Sequence, residues 1–172
     1  NAGVEDLVAS LRWVKANVAA FGGDADNVTI FGESGGGAKV LTLMATPAAK
    51  GLFQRAIVQS GALEGMGMTL LAPKTTRRVA ELTLQNLGVK PETVESLNSL
   101  PYQAIVDASQ KALQQTAEEQ RIPSVMGNGI ALAWAPSTDG QFIPAEPVGE
   151  KYPELSKDVP MLIGTNLTEW ST

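Results

Sequence analysis

Histidine and cysteine are both missing from the 172 residues of this chain. Without cysteine, neither a disulfide framework nor a thiolate zinc site can form, and the redox compartment stays open. Positive charge is also scarce: 13 Lys and Arg against 18 Asp and Glu leave a net charge of −5. With no basic patch in that balance, nucleic acid is not the expected partner. No apolar run approaches the ~18 residues that a membrane span needs, so no span is expected. No signal-peptide pattern opens the chain, whose start, NAGVEDL, reads as the inside of a domain. What is present is a hydrophobic content of 44%, enough at this length to bury a core as one domain.

The residue pattern is organised around Asn27 to Lys39, NVTIFGESGGGAK. Val28, Thr29, Ile30 and Phe31 form a short apolar, β-rich run that predicts a buried parallel strand. Ala38, Val40, Leu41, Leu43, Met44 and Ala45 predict a buried helix. Strand, sharp turn, serine and helix, with Gly32-x-Ser34-x-Gly36, is the nucleophile-elbow pattern of serine hydrolases. The physics asks for these residue types. A serine between strand and helix must take a strained backbone conformation that turns its hydroxyl outward. The residues two before and two after it, Gly32 and Gly36, are then expected to approach too closely for a Cβ. Glu33 completes the turn, and the free N–H of Gly35 at the helix start can donate to an oxyanion.

Two rival glycine-rich readings fail on spacing. A phosphate loop needs Lys and then Ser or Thr directly after Gly-x4-Gly, but Ala38 follows Gly37 and Val40 has no hydroxyl. A Ser-x-x-Lys pair fails because Lys39 lies too far along from Ser34. The missing histidine now matters, since a serine nucleophile of this kind needs an imidazole to take its proton. The expectation is a piece of a longer protein that carries the imidazole elsewhere. The alternative is a complete protein that has lost catalysis.

Along the rest of the chain, Leu7, Leu11, Val14, Val18 and Phe21 predict an amphipathic helix over residues 5 to 21, stopped by Gly22-Gly23. Residues 52 to 59 predict the next strand, closed by Gln59-Ser60-Gly61. Ala62 to Pro73, with Met66, Gly67 and Met68, offers either an adaptable pocket wall or plain packing beneath a lid. Residues 74 to 117 read as helices, with Val79, Leu82 and Leu87 on one stripe and Tyr102, Ile105, Val106 and Leu113 on another. Pro101 is placed in a first helical turn, and the Gln and Glu residues at 114 to 120 read as a solvated helix end. Residues 122 to 147 read as irregular, Asp139-Gly140 as a turn, and Trp134 as either a pocket or a core residue. Val159 to Gly164 predicts another buried strand. Two glycosylation sequons, at Asn27 and Asn166, abut these strands and read as turn asparagines.

FGGDADNVTIFGESGGG followed by KGLFQRAIVQSG resembles the type-B carboxylesterases, a group that includes cholinesterases and bacterial p-nitrobenzyl esterases. The resemblance runs from Asn1 to Gly61 and resumes near the end, where Gly164-Thr165-Asn166-x-x-Glu169 is similar to the family's acid-bearing loop. One departure is Gly35, where the family usually has alanine; glycine there costs roughly 1 kcal/mol of helix propensity.

The resemblance implies an α/β class, a partial α/β-hydrolase fold with central parallel strands, flanking helices and a helical insertion. Residues 1–172 would be the central fragment of one such domain, with the insertion at about 66–120 shaping a gorge. It implies serine-dependent hydrolysis of small carboxylic esters through an acyl-enzyme, with no metal and no organic cofactor. Ser34 would be the nucleophile and Glu169 the acid, with Asp139 as the runner-up acid. Ser60, which in similar enzymes sits near that acid, is read either as having a supporting hydrogen-bond role or as an ordinary strand-end turn. The missing histidine and the rest of the oxyanion hole would lie outside this chain, leaving the isolated fragment inactive. Exposed sheet edges would then call for a second copy or a complementary chain. The competing reading is a non-catalytic, cholinesterase-like binding or adhesion module. Localisation and the identity of the ester stay open.

Overall fold

The computed structural model describes residues 1–61, 70–124, 132–148 and 153–169. They fall into two compact units, residues 1–70 with 138–172, and residues 71–137.

In the first unit, α1 (Ala2–Asn17) carries Glu5 in its first turn and Lys15 in its last, both complementing the helix dipole. It buries Val4 and Val8, with Leu7 and Leu11 partly covered beside them. The predicted helix stripe ran on to Phe21, but the chain tightens into a 3-10 turn over Val18–Phe21. Three residues per turn rotate the stripe off the core face. Phe21 is left 75% exposed, its ring tilted against Trp13.

β1 (Thr29–Glu33), β2 (Arg55–Gln59) and β3 (Met161–Gly164) form a parallel sheet in the order β1-β2-β3. Glu33 stands opposite Gln59, and Gln59 opposite Gly164. β2 starts later than the residue pattern predicted because Leu52 and Phe53 are spent in the approach. Phe53 is buried, and Gln54 ties both its backbone and its side chain to Val28. β3 also starts late: Pro160 has no N–H to give, and only its carbonyl joins the ladder, accepting from Ala56 at 3.0 Å.

α2 (Gly35–Met44) follows β1 after a single residue and is the most deeply buried helix of this unit. Its Val40, Leu41, Leu43 and Met44 pack with Ala56 and Val58 of β2, and with Phe53, Leu70 and Ile143. Each such side chain contributes about 1.5–3 kcal/mol when fully buried. Burial concentrates on the central strand. Phe31 on β1 is 74% exposed, and Leu162 and Ile163 on β3 are 69% and 57% exposed, so the two outer strands are not the fully buried runs predicted. Each pairs on one side only among the described residues.

In the second unit, α3 (Pro73–Leu87) and α4 (Tyr102–Glu119) share a small core of Val79, Leu82, Ala112 and Leu113. Gly88 ends α3 in the left-handed conformation, and Pro91–Ser99 is a 3-10 segment kinked at Thr93. Pro101 caps α4 from outside rather than lying in its first turn, and Tyr102 is exposed. The Gln and Glu residues at the end of α4 are mostly exposed, as expected, and Glu119 and Gln120 also bond to α3. Thr116 and Ala117 are buried, Gln120 accepts from Thr75 at 2.8 Å, and Glu119 takes a two-point ion pair from Arg78 at 2.7 and 2.8 Å. Trp134 is half exposed, with its indole N–H toward the Ser109 hydroxyl. Among the described residues, no helix is long and apolar enough to cross a membrane.

Candidate active site

The sheet register brings three chain exits to one level at the carboxyl ends of the strands. The ladder continues one residue past the strands: Ser34 N–H donates to Gln59 O at 2.9 Å, and Ser60 N–H to Gly164 O at 2.8 Å. Ser34 therefore leaves β1 beside Ser60 leaving β2, with Thr165 to Glu169 leaving β3 next along. With strands ~4.8 Å apart, the β3 exit lies two spacings, roughly 10 Å, from the Ser34 backbone.

Ser34 sits at φ 52, ψ −120, a conformation that side chains rarely adopt and that costs of order 1–3 kcal/mol. It occupies the N-cap of α2, where serine normally contributes ~1 kcal/mol by bonding the helix's free N–H groups. Here its side chain makes no capping bond. The turn holds instead through the backbone, Ala38 N–H donating to Ser34 O at 3.1 Å. Ser34, a half-buried residue, thus directly precedes the first N–H of α2, that of Gly35, at the positive end of the helix dipole. Such a grouping can stabilise negative charge growing on an oxygen nearby.

Glycine is required here on one side of the serine only. A Cβ on Gly32 would lie 2.3 Å from the carbonyl carbon of Gly36 and 2.8 Å from the N of Gly37, whereas a Cβ on Gly36 would meet nothing within 4 Å. The symmetrical crowding expected of Gly32 and Gly36 is therefore corrected. Gly36 lies in helical backbone whose carbonyl abuts Gly32 while its own Cβ position faces open space, and the second crowded position is Gly37. A Cβ on Gly37 would come within 2.8 Å of the Gly61 Cα.

At the β3 exit, Glu169 is half-buried, and its Oε1 accepts from the Ser60 hydroxyl and, at 2.9 Å, from the Asn166 N–H. The Ser60 hydroxyl first, and the Asn166 N–H next, hold the Glu169 carboxyl below the usual glutamate range against the opposing effect of desolvation. At neutral pH it is an ionised acceptor. Glu33, at the end of β1, is exposed, and it lines a cleft of about 400 Å³ together with Ser60, Thr165 and Asn166. Asp139 is committed elsewhere. Its Oδ1 accepts from Gln141 N–H at 2.9 Å and Ile143 N–H at 3.0 Å, and its Oδ2 from the Asn1 side chain, forming a turn that continues through Gly140 at φ 76. Among the described residues, no group of three or more acidic side chains is placed to hold a metal ion.

Residues 1–172 match the carboxylesterase family along their whole length. The chain belongs to that family. It is 36% identical over 169 residues to the para-nitrobenzyl esterase of Bacillus subtilis (strain 168), covering 98% of this chain and 32% of that protein. It is 33% identical to human carboxylesterase 3, covering 99% of this chain and 27% of the relative. A solved PNB esterase superposes with a TM-score of 0.77 at 35% identity, over 98% of this chain and 33% of the other. The Geobacillus stearothermophilus carboxylesterase EST55 at pH 6.8 does so with a TM-score of 0.70 at 36% identity, over 96% and 32%. The carboxylesterase chain described here therefore spans about a third of the length of these relatives or less, and its parallel sheet with flanking helices is part of an α/β-hydrolase fold.

Two crowded glycines at this sheet edge escaped the residue pattern. Gly37 and Gly61 meet backbone to backbone, and the only local hint was a third glycine after Ser34 and a glycine directly after Ser60. Met66, Gly67 and Met68 lie outside the described residues, as does the start of the expected insertion near residue 66.

Proposed function

We propose that this chain is the central segment of a serine carboxylesterase, one α/β-hydrolase domain with a helical insertion at about 66–120, and that it carries the nucleophile and the acid of the triad. Ser34 Oγ attacks the carbonyl carbon of a small carboxylic ester while its proton passes to an imidazole supplied from outside these residues. The Gly35 N–H, with donors from outside the chain, stabilises the tetrahedral oxyanion. The imidazolium protonates the departing alcohol, leaving an acyl-serine. Water then attacks, its proton going to the imidazole, and the acid leaves as Ser34 regains its hydrogen. Glu169, fixed by Ser60 and Asn166, orients the imidazole and stabilises its cation. No metal or organic cofactor enters this chemistry.

One observation carries the reading. A serine hydroxyl that caps nothing is held on a strained bend at the same sheet edge as an ionised, hydrogen-bonded glutamate. That retention of serine and acid weighs against a purely adhesive module. The exposed Phe31, Leu162 and Ile163 on the outer strands support a partner, either a complementary chain or a second copy, that covers these edges.

A chimera tests the proposal: residues 1–172 replace the matching third of the B. subtilis para-nitrobenzyl esterase, which then supplies the flanking segments. The chimera should hydrolyse p-nitrophenyl esters. Ser34→Ala should remove that activity, and Glu169→Gln should lower kcat by several powers of ten. The isolated chain should hydrolyse these esters no faster than its own Ser34→Ala version. Hydrolysis by the chimera that survives Ser34→Ala would overturn the assignment.

A further inference from the structure

Two bends at neighbouring strand ends share an unusual feature. Ser34 after β1 and Ser60 after β2 both take positive φ, at 52° and 50°, without being glycine. Each is tied to the next strand through its backbone N–H, so each bend is fixed on one side by the ladder. On the other side the chain leaving Ser60 comes down onto the first turn of α2. A Cβ on Gly61 would lie 2.5 Å from the Gly37 Cα, and 2.8 Å from both the Gly37 carbonyl carbon and the Ser34 carbonyl oxygen. From the other side, a Cβ on Gly37 would lie 2.8 Å from the Gly61 Cα and 3.1 Å from Gly32 O. These are backbone atoms, which cannot rotate aside as a side chain does.

We infer that the Gly37–Gly61 contact is a positioning device that locks the bend at Ser34 to the bend at Ser60, and through the Ser60 hydroxyl sets the place of Glu169. Its bearing on catalysis rests on the esterase reading above; the mechanical coupling itself does not. The Ser34 carbonyl belongs to the contact and also accepts the bond that closes the first turn of α2. The Ser60 hydroxyl donates to the Glu169 carboxylate. A methyl group inserted between the two glycines pushes β2's exit away from α2 and draws the hydroxyl off Glu169.

The carboxylate reports this movement directly. In the 172-residue chain, carbon-13 NMR follows the Glu169 carboxyl through a pH titration, the signal being assigned by its loss in Glu169→Gln. Ser60→Ala removes the donor without adding bulk and sets the full upward shift of the titration midpoint. Gly61→Ala and Gly37→Ala should each move the midpoint upward toward the Ser60→Ala value. The double variant should move it no further than either alone, because both break one contact. Gly36→Ala, one residue away in open space, should leave it unchanged. If the Gly61 and Gly37 variants fold and titrate like the parent chain, the coupling is overturned. If both fail to fold while Gly36→Ala folds, the contact is a folding constraint and the positioning role is overturned. If only one folds, its midpoint decides. Because no turnover is measured, an inactive chimera would sink the esterase reading and leave this coupling standing, and an unchanged midpoint would do the reverse.

Discussion

Replacing each outer glycine of Gly32-x-Ser34-x-Gly36 by alanine should have opposite effects on stability, and the size of the difference follows from the geometry. The new Cβ at position 32 would sit 2.3 Å from the Gly36 carbonyl carbon, 2.4 Å from its oxygen and 2.8 Å from the Gly37 nitrogen. Non-bonded carbons are comfortable at about 3.5 Å, so the shortest contact is roughly 1 Å too close. All three neighbours are backbone at the start of α2, so relief requires the helix itself to shift. That helix buries Val40, Leu41, Leu43 and Met44 against the sheet, so a shift loosens the centre of the core. Overpacking typically costs 1–3 kcal/mol, and a backbone clash inside a packed unit belongs at the top of that range, about 3 kcal/mol. At position 36 the Cβ meets nothing within 4 Å, and helical alanine is favoured over glycine by up to ~1 kcal/mol. The two variants should therefore differ by about 4 kcal/mol. At roughly 2–4 °C per kcal/mol for a chain of this size, Gly32→Ala should lower Tm by about 6–12 °C and Gly36→Ala should raise it by a few degrees. Thermal unfolding followed by far-UV circular dichroism, with urea midpoints as a second measure, reads both. Equal losses, or a larger loss at position 36, would refute the steric account of this turn.

Ser34→Gly should stabilise the chain by about 1 kcal/mol in urea unfolding, since relief of 1–3 kcal/mol of backbone strain is partly offset by glycine's freer unfolded state; a loss of ~1 kcal/mol or more would mean that the hydroxyl bonds within the fold. Asp139→Asn should lower the urea midpoint at neutral pH, by a margin that shrinks on acidification. The N–H groups of Gln141 and Ile143 depress the Asp139 pKa in the folded chain, so its contribution is complete above the ordinary aspartate value, about 3.9, and is lost as pH falls through the depressed one. A margin that does not change with pH would contradict that linkage.

The parts legible in the sequence were those written in neighbouring residues. β1, the turn at Ser34 and α2 could be read because an apolar β-rich run, a glycine spacing and an apolar helix occur within twenty residues. The Asp139-Gly140 turn could be read for the same reason, since its acceptor and its donors at Gln141 and Ile143 are close in the chain. The strand that would be buried could not. Phe31 and Val58 look alike as residues, yet Val58 is fully buried on the middle strand and Phe31 stands exposed on an outer one. That difference is set by sheet order, which no local pattern contains. The bonds at the end of α4 were hidden for a similar reason: Glu119 and Gln120 reach Arg78 and Thr75 of α3, some forty residues earlier. Gly37 and Gly61 are the clearest case. Their crowding exists only because β1 and β2 pair with Glu33 opposite Gln59, which stacks one chain exit on the other.

The strain at this sheet edge also argues about what the edge is for. Glycine at positions 34 and 60 would adopt positive φ at no steric cost, and it is the default residue for such backbone. This chain instead has serine at both, at of order 1–3 kcal/mol each, out of a total stability of about 5–15 kcal/mol. At Ser60 the hydroxyl repays part of that cost by holding Glu169. At Ser34 it does not even serve the helix that it caps. A side chain kept on strained backbone without a capping return fits a group whose partner is a reacting molecule, and the ionised carboxylate on the same edge fits the proton chemistry such a group would need.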